Sequence, residues 1–272
     1  MTSINTNVGS LNARSSAISA NGKMEKAMER LSSGLRVNSA ADDAAGLAVA
    51  GKMESQLRGI NMAIRNNQDG VGLIQTAEAG INEVRNMVLR IRELAVQMAN
   101  GIYEDSPDRA NAQLEVTALQ AQVNLIAGYT RFNDVSLLNG SFSAVDIQAG
   151  NTTSETIALT ITTMTTTGLG FDSVSVSTQS NAQAAITTMD SALTDIATEQ
   201  ATLGSYINRL NYSIANLSKS SVMTEQALGR IMDADFASET TQLSKSQILN
   251  QAATSMLAQA NQSKQSILAL LQ

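Results

Sequence analysis

The sequence predicts a mainly α-helical fold: an elongated helical bundle or coiled coil formed by the N- and C-terminal segments, with a small β-hairpin region in the centre. Three observations support this prediction. Apolar residues recur at alternating steps of three and four over long stretches, which is the period of a helix face. Aromatic residues make up only 3% of the 272 residues, so Ala, Leu, Ile, Val and Met supply the packing. The single proline, Pro107, leaves almost every position free to join a continuous helix.

The longest repeat lies in the C-terminal part of the chain. A strict repeat of this length predicts one coiled-coil-like helix of roughly 70 Å, at about 1.5 Å per residue. Its members are Ile186, Met189, Leu193, Ile196, Gln200, Leu203, Ile207, Leu210, Ile214, Leu217, Ser221, Thr224, Leu228 and Ile231.

The N-terminal half carries a matching repeat in two registers. The step between the registers is three residues where four is due, with Gly70, Gly72 and Gly80 around it, and we expect one bent helix rather than two. The first register is Met53, Leu57, Ile60, Ile64, Asn67, Val71 and Ile74; the second is Ala77, Ile81, Val84, Val88, Ile91, Ala95 and Met98.

A further helix is predicted after a turn. Asn100-Gly101 is a typical helix end, and Ser106-Pro107 is a typical helix start, with a capping residue before a proline at the first helical position. Two apolar stripes predict that this helix is covered twice, once within the chain and once by a neighbouring subunit. The first stripe is Ala112, Val116, Leu119, Val123 and Ile126; the second is Leu114, Ala118, Ala121 and Leu125.

The centre changes character after Asn139-Gly140. Alternating apolar residues between 142 and 163 predict a hairpin around Ala149-Gly150-Asn151. The following stretch, through Thr178, is rich in Thr and Ser and is interpreted as a solvated surface insertion, with O-linked sugar attachment as a lesser alternative.

The two ends of the chain are amphipathic, but their apolar stripes are modest. Isolated helices of this kind are marginal in water, so we expect the ends to need each other or other copies of the chain. The residues predicted to drive polymerisation are Ile4, Val8, Leu11, Ile18, Leu31 and Leu35 at the start, and Leu249, Met256, Leu257, Ile267, Leu270 and Leu271 at the end.

The composition excludes most catalytic chemistry. The chain has no Cys and no His, which removes thiol nucleophiles, disulfides, the usual zinc ligands and the commonest general base. Its net charge of −6 argues against nucleic acid or an anionic membrane as the main partner. No apolar run approaches the ~18 residues of a membrane span, and the start lacks the pattern of a cleaved secretory signal. We expect a non-enzymatic protein with no cofactor and protein partners.

Two carboxylate pairs are the remaining candidates for a metal site. Asp42-Asp43 and the pair Asp233 and Asp235 each stand where a helix is predicted to start. Carboxylates at that position are far more often caps or favourable partners of the helix dipole, so we interpret both pairs in that way and predict no metal.

Five segments carry a resemblance to a known family. Arg30-Leu-Ser-Ser-Gly-Leu-Arg-Val-Asn-Ser-Ala-Ala-Asp-Asp-Ala-Ala-Gly-Leu-Ala and Arg92-Glu-Leu-Ala-Val-Gln-Met-Ala-Asn resemble the N-terminal signature of bacterial flagellins. Asp233-Ala-Asp-Phe-Ala-Ser-Glu, the segment 247–262 and the closing Ile267-Leu-Ala-Leu-Leu-Gln are similar to the family's terminal block. The resemblance covers roughly residues 3–139 and 182–272, with a variable insert between them.

The resemblance implies a division into three parts. Residues 1–42 and 232–272 would form an inner terminal coiled coil that lines the filament channel. Residues 43–141 and 180–231 would form an outer helical domain, and residues 142–179 a short surface-exposed insert.

The resemblance also implies a function. The chain would be a structural subunit of the extracellular flagellar filament, exported unfolded by the flagellar type III apparatus and polymerised through its terminal helices. Its partners would be other copies of itself, the filament cap, hook-associated proteins and an export chaperone. The alternatives are a hook-filament junction protein or a flagellin with an adhesive or glycosylated surface. Some flagellins carry a His-Glu-x-x-His protease motif, which a chain without His lacks.

One segment resembles a receptor-binding motif of the family. Leu89-Arg-Ile-Arg-Glu-Leu-Ala-Val is similar to the centre of the surface that an innate immune receptor recognises, although Leu89 replaces the usual Gln. The resemblance implies contacts from Arg90, Leu94 and Glu115, since an exposed Arg beside an apolar side chain is a reasonable binding hot spot. The alternative role of these residues is packing between protofilaments.

Overall fold

The computed structural model describes residues 6–269, with side chains described through residue 263. The described residues form five α-helices and four short strands, and the prediction of a mainly α fold with a small central β region is confirmed. The helices are α1 (Val8–Ser33), α2 (Ala44–Met98), α3 (Ala110–Tyr129), α4 (Gln179–Met232) and α5 (Phe236–Ala269). The strands are β1 (Arg131–Phe132), β2 (Val135–Ser136), β3 (Val145–Gln148) and β4 (Thr156–Leu159).

The chain divides into two compact units. The terminal unit comprises Met1–Leu57 and Val222–Gln272, and the middle unit comprises Arg58–Ser221. These boundaries fall inside α2 and α4, whereas the sequence placed them near residues 42 and 232. The three-part division of the assembled subunit stays a prediction.

The core of the middle unit is formed by α2, α3 and α4. On α4 the fully buried residues Met189, Ile196, Leu203 and Leu210 stand seven residues apart, and Leu193 and Ile207 between them are half-buried. This is the pattern of a coiled-coil seam, and it confirms the repeat read from the sequence. From α3, the residues Val116, Val123 and Ala127 join the same cluster.

Helix α2 is continuous across the register change, as predicted. Two of the glycines there are explained by close approach of other elements. A Cβ on Gly80 would lie 2.7 Å from Thr130 Oγ1, and one on Gly70 would lie 2.7 Å from Ile147 Cδ1. The helix therefore carries residues of poor helix propensity because the hairpins pack directly against its backbone.

The turn between α2 and α3 differs from the prediction at both ends. Gly101 is not among the described glycines with positive φ, and it does not form a left-handed cap. The end of α2 is instead capped by the buried Arg109, whose Nε donates to Met98 O at 2.8 Å and whose second terminal nitrogen donates to Asn100 O at 2.8 Å.

The predicted start of α3 is also wrong. Ser106 has φ and ψ of −138° and 127° and precedes a cis peptide bond to Pro107. The chain turns at Asp105–Arg109, and the α-helix begins at Ala110 with Arg109, not Ser106, at the N-cap position. Pro107 therefore lies in the turn before the helix and not at the first helical position.

Two hairpins follow α3. The predicted hairpin is confirmed as the antiparallel pair β3–β4, with Ile147 opposite Ile157. The smaller pair β1–β2 was not predicted. Its turn residues Asn133 and Asp134 have φ of 48° and 63°, the left-handed conformation that Asn and Asp tolerate best after Gly. The dipeptide Asn-Asp was the signal in the sequence.

The Ser- and Thr-rich stretch after β4 is not a solvated insertion. Met164, Leu169, Phe171 and Val176 are buried in the core of the middle unit. Side-chain amides of α3 satisfy the backbone of this stretch. Gln120 Nε2 donates to Phe171 O at 2.9 Å, Asn124 Oδ1 accepts from Thr166 N at 3.0 Å, and Gln113 Oε1 accepts from Val176 N at 2.6 Å. The longest exposed run of the centre is residues 151–156, at the turn of the β3–β4 hairpin.

Candidate assembly surfaces

The two terminal helices of the chain pack against each other as an antiparallel pair. Asn7 Nδ2 donates to Ala260 O at 3.1 Å near one end, and Arg30 pairs with Glu239 at 3.0 Å near the other. Between them, Asn250 donates to Asn21. Helix α1 ends at Gly34, which takes a left-handed φ of 73°, and Leu35 then bridges to Asp233.

Small residues fill the seam between α1 and α5. The buried residues of α1 are Ala13, Ala20 and Ala27, seven residues apart, and they face the buried Ser246 and Ala253 of α5. A seven-residue period is that of a coiled coil, but each alanine buries only one methyl group. The seam therefore holds the helices close together while contributing little hydrophobic free energy.

Of the eight predicted end residues whose side chains the structure describes, five are exposed. Leu11 and Ile18 of α1 are 55% and 62% exposed, and Met256 of α5 is 63% exposed. Val8 and Leu249 are exposed as well. Ile248, which was not among the predicted residues, is also exposed. These apolar side chains face outward from the helix pair, and their role in polymerisation stays a prediction.

The remaining predicted residues of the ends divide into two groups. Leu31, Leu35 and Leu257 are half-buried within the terminal unit. Ile4, Leu270 and Leu271 lie outside the described residues, and Ile267 falls in α5 at a position where only the backbone is described.

An apolar groove of about 560 Å³ runs along one side of the α1–α5 seam. Its lining contains no Asp, Glu, Lys or Arg. Helix α1 contributes Gly9, Asn12, Ala13 and Ser16, and α5 contributes Leu249, Ala252, Ala253, Met256, Gln259, Ala260 and Ser263.

A second apolar surface lies on α3 in the middle unit. Of its two predicted stripes, the one containing Val116 and Val123 is buried in the core. The other is uncovered: Leu114 is 70% exposed, and Leu125 and Tyr129 are exposed along the same face. Within the middle unit, the outer face of α3 is therefore an uncovered apolar face, and its cover by a neighbouring subunit stays a prediction.

The three residues expected to contact a receptor, Arg90, Leu94 and Glu115, line one depression on the middle unit. Arg90 Nε lies 2.8 Å from Glu115 Oε1, and a terminal nitrogen of Arg90 lies 3.2 Å from Glu93. Leu94 is only 4% exposed and also belongs to the core. The helical period places Leu94 one turn from Arg90 on the inward side.

Hydrogen bonds to neighbouring carboxylates raise the pKa of two arginines, Arg90 and Arg92. Hydrogen bonding to Glu115, and then to Glu93, raises the pKa of Arg90. Hydrogen bonding to Asp190 likewise raises the pKa of Arg92, whose Nε lies 2.6 Å from Asp190 Oδ1. All of these side chains are exposed, so the pairs fix local geometry and contribute little stability.

Of the four carboxylates considered as metal ligands, Asp43 and Asp235 cap helices. Asp43 Oδ1 accepts from Gly46 N at 2.8 Å at the start of α2, and Asp235 Oδ1 accepts from Ala237 N at 2.9 Å at the start of α5. Asp42 accepts from Ser39, and these hydrogen bonds lower the pKa of Asp42. Among the described residues, no group of three potential ligands could hold a metal ion. None of the described helices is long and apolar enough to cross a membrane.

The comparisons with known proteins agree over nearly the whole chain. The family model for the bacterial flagellin N-terminal helical region matches residues 4–143, and the model for the C-terminal helical region matches residues 186–271. The flagellar filament 33 kDa core protein of Treponema phagedenis is 40% identical over 98% of this chain and 99% of its own length. A flagellin of Halalkalibacterium halodurans is 41% identical over the same shares.

A solved structure supports the same conclusion for part of the chain. The crystal structure of Bacillus cereus flagellin matches with a TM-score of 0.51 and 31% identity, covering 56% of this chain and 88% of that one. The chain belongs to the bacterial flagellin family, the structural proteins of the flagellar filament.

Proposed function

We propose that this chain is a filament subunit that polymerises through the outward faces of its terminal helices. One observation carries the proposal: alanines close the α1–α5 seam while Leu11, Ile18 and Met256 remain exposed. A protein that functioned alone would place these larger side chains in the seam. Their exposure on one helix pair is the pattern of a surface that other copies cover.

The energetics support assembly rather than independent stability of the ends. Full burial of a Leu, Ile or Met side chain contributes roughly 1.5–3 kcal/mol, whereas an alanine methyl contributes roughly 0.8 kcal/mol. Most of the hydrophobic free energy of α1 and α5 is therefore available only when a neighbour covers them. Ordering of the ends is then coupled to polymerisation, because intermolecular burial must offset the entropy of ordering them.

This coupling fits export of an unfolded chain and folding at an extracellular tip. Ends that are marginal alone would stay unassembled during passage through the flagellar type III apparatus and would order on arrival. A filament cap, hook-associated proteins and an export chaperone are the partners this route requires. Each would bind the same apolar surfaces that neighbouring subunits later occupy.

The test introduces one charge into the exposed stripe. Ile18→Asp should abolish filament formation by purified protein, because assembly would bury an unpaired carboxylate. Ile267→Asp makes the same change near the C-terminal end of α5. Thr153→Asp adds the same charge in the exposed turn of the β3–β4 hairpin and should leave polymerisation unchanged.

Two measurements give the result. Electron microscopy scores filaments, and circular dichroism of the soluble chains checks that the helices of the middle unit remain. Filaments of ordinary length from Ile18→Asp would contradict the proposal.

The surface around Arg90 is proposed as the contact for an innate immune receptor. Arg90, Glu115 and Tyr103 line a depression of about 370 Å³ on the middle unit. Arg90 and Glu115 are exposed in this depression, and the buried Leu94 also lines it. The exposed Arg–Glu pair is the feature that favours this proposal.

The receptor proposal predicts two different outcomes at neighbouring positions. Arg90→Ala should lower receptor affinity without changing the unfolding midpoint, whereas Leu94→Ala should lower the midpoint. Unchanged affinity of the folded Arg90→Ala protein would count against this contact.

The relatives spanning the chain are flagellins and filament core proteins, which gives the hook-filament junction alternative no support. Intact-mass measurement of the native protein tests for sugar attachment.

A further inference from the structure

We infer that Asn139 is a site of spontaneous deamidation, in which the backbone nitrogen of Gly140 attacks its side-chain amide and Ser141 assists by hydrogen-bonding the reacting carbonyl. This inference concerns the covalent chemistry of the middle unit and does not depend on the proposed function. The dipeptide Asn139-Gly140 lies in an exposed turn between the buried residues Leu138 and Phe142.

The reaction passes through a five-membered cyclic imide and needs no enzyme, oxidant or reductant. The nitrogen of Gly140 forms a bond to Cγ of Asn139 and gives its proton to solvent, while Nδ2 of Asn139 takes up a proton and leaves as ammonia. Water then opens the imide. Opening at Cγ gives Asp with an unchanged backbone, and opening at the main-chain carbonyl gives isoaspartate, in which the chain passes through the former side chain.

Glycine at position 140 favours the attack. Gly140 has a positive φ of 88°, a conformation that glycine adopts readily and other residues rarely do. A Cβ at this position would lie only 3.2 Å from Thr163 Cβ, so the turn is built for a residue without a side chain. The attacking nitrogen therefore belongs to a residue that has no side chain to shield it.

Two donors meet the side-chain oxygen of Asn139. Ser141 N lies 3.0 Å from Asn139 Oδ1, and Ser141 Oγ lies 2.6 Å from the same atom. The other acceptor near this hydroxyl, Ser136 O, is farther away at 3.5 Å. Attack on Cγ places negative charge on Oδ1, and donors aimed at an oxygen where charge develops lower the barrier. Ser141 therefore activates the amide of Asn139 toward its neighbour.

The chain contains two other Asn-Gly dipeptides, and in the described structure neither has a hydroxyl donor on its Asn. Asn100 Oδ1 accepts from Ile102 N at 3.2 Å, but an Ile side chain has no hydroxyl to add. Asn21 lies inside α1, and its side-chain oxygen accepts from Asn250, so it reacts only after local unfolding. Asn100 is the matched internal control, because it is also an exposed turn residue of the middle unit followed by glycine.

The two products should affect the fold differently. Leu138 O accepts from Met164 N at 2.8 Å just before the turn, and Phe142 is 2% exposed just after it. Asp at position 139 keeps the backbone length between these anchors and adds one negative charge to the surface. Isoaspartate adds one backbone atom between the same anchors, so we expect it to lower the unfolding midpoint of the middle unit.

Peptide mapping by mass spectrometry tests the site on the unmodified full-length protein. The protein is kept at neutral pH, and loss of the side-chain amide is followed at Asn139 and Asn100 over the same period. Asn139 should react roughly two to ten times faster, the factor that one additional hydrogen bond from a neutral donor supplies. A rate at Asn139 no faster than that at Asn100 would overturn the inference, and this comparison requires no variant.

Variants of Ser141 test its assistance. Ser141→Ala should slow the reaction of Asn139 by roughly two- to tenfold, whereas Ser141→Thr keeps a hydroxyl and should retain most of the rate. Circular dichroism checks that both variants are folded. Synthetic peptides spanning residues 137–143, with Ser or Ala at position 141, supply the unfolded reference. They should react at similar rates, because no fold holds the hydroxyl against Oδ1. An undiminished rate in the folded Ser141→Ala protein, or equal slowing in the peptide, would overturn the inference.

Discussion

Replacing Arg109 by Met should destabilise the middle unit by about 2–4 kcal/mol. The guanidinium of Arg109 is 5% exposed, and it donates to the carbonyls of Met98 and Asn100 at 2.8 Å each. A hydrogen bond from a charged donor contributes about 1.5–3 kcal/mol. Met98 is buried, so its carbonyl stays without a partner in the variant, whereas Asn100 is exposed and water can replace part of its bond. The ion pair to Asp105 adds at most about 1 kcal/mol because Asp105 is exposed.

Urea unfolding followed by far-ultraviolet circular dichroism measures this loss. Met fills much of the space of Arg109 but donates no hydrogen bond, so the change isolates the capping interaction from simple loss of volume. Arg92→Met is the matched control. Arg92 makes a comparably short ion pair with Asp190, at 2.6 Å, but both side chains are exposed, so at most about 1 kcal/mol is expected. Equal losses for the two variants would refute the argument that burial and capping of α2 distinguish Arg109.

Three further predictions follow from burial, surface chemistry and charge. Leu203→Ala should cost about 2–5 kcal/mol in urea unfolding because Leu203 is 1% exposed, whereas Tyr212→Ala, at a position 79% exposed, should stay within about 0.5 kcal/mol. Leu114→Asp should impair polymerisation, scored by sedimentation, while leaving the unfolding midpoint of the soluble chain unchanged. In carbon NMR the Asp42 carboxyl should titrate below its ordinary 3.8, because hydrogen bonds from Ser39 lower its pKa. Their stabilisation is complete above 3.8 and is lost as the pH falls through the lowered pKa; Ser39→Ala should return the midpoint toward 3.8.

The long helices could be predicted from the sequence because one local rule determines them. A repeat such as Ile196, Leu203 and Leu210 needs only the helical period to be recognised, and the same residues become the buried seam of α4. The β3–β4 hairpin was predictable for a similar reason, since alternation and a glycine turn are both local. Fold class therefore followed from short-range pattern alone.

The errors arose where a residue acts through a distant partner. Nothing near Arg109 in the sequence indicates that it caps a helix that ended eleven residues earlier. The stretch around Thr166 was interpreted as solvated from its composition. The structure buries it because amides of α3 such as Asn124 supply the hydrogen bonds that water would otherwise make. Composition describes which groups need partners but not which parts of the chain provide them.

The candidate site shows a different difficulty, since its helices carry two seven-residue repeats at once. The sequence reading selected the larger side chains, Leu11 and Ile18, whereas the intramolecular seam uses Ala13 and Ala20. Periodicity places both repeats on faces of α1 but does not decide which face meets α5. Close helix approach selects the small residues, because only small side chains allow the backbones to approach closely enough for contacts such as Asn7 with Ala260.

This arrangement also explains why the stronger stripe is free. If Ile18 filled the seam, the terminal unit would be more stable alone, and its outer faces would retain little apolar surface for neighbours. Placing alanine inside leaves the seam weak and the exposed face strong, so each added copy can contribute more hydrophobic free energy than the isolated helix pair contains. If neighbouring copies cover this face as proposed, these helices are most stable in the polymer, and the weak seam leaves the ends of the free subunit marginal.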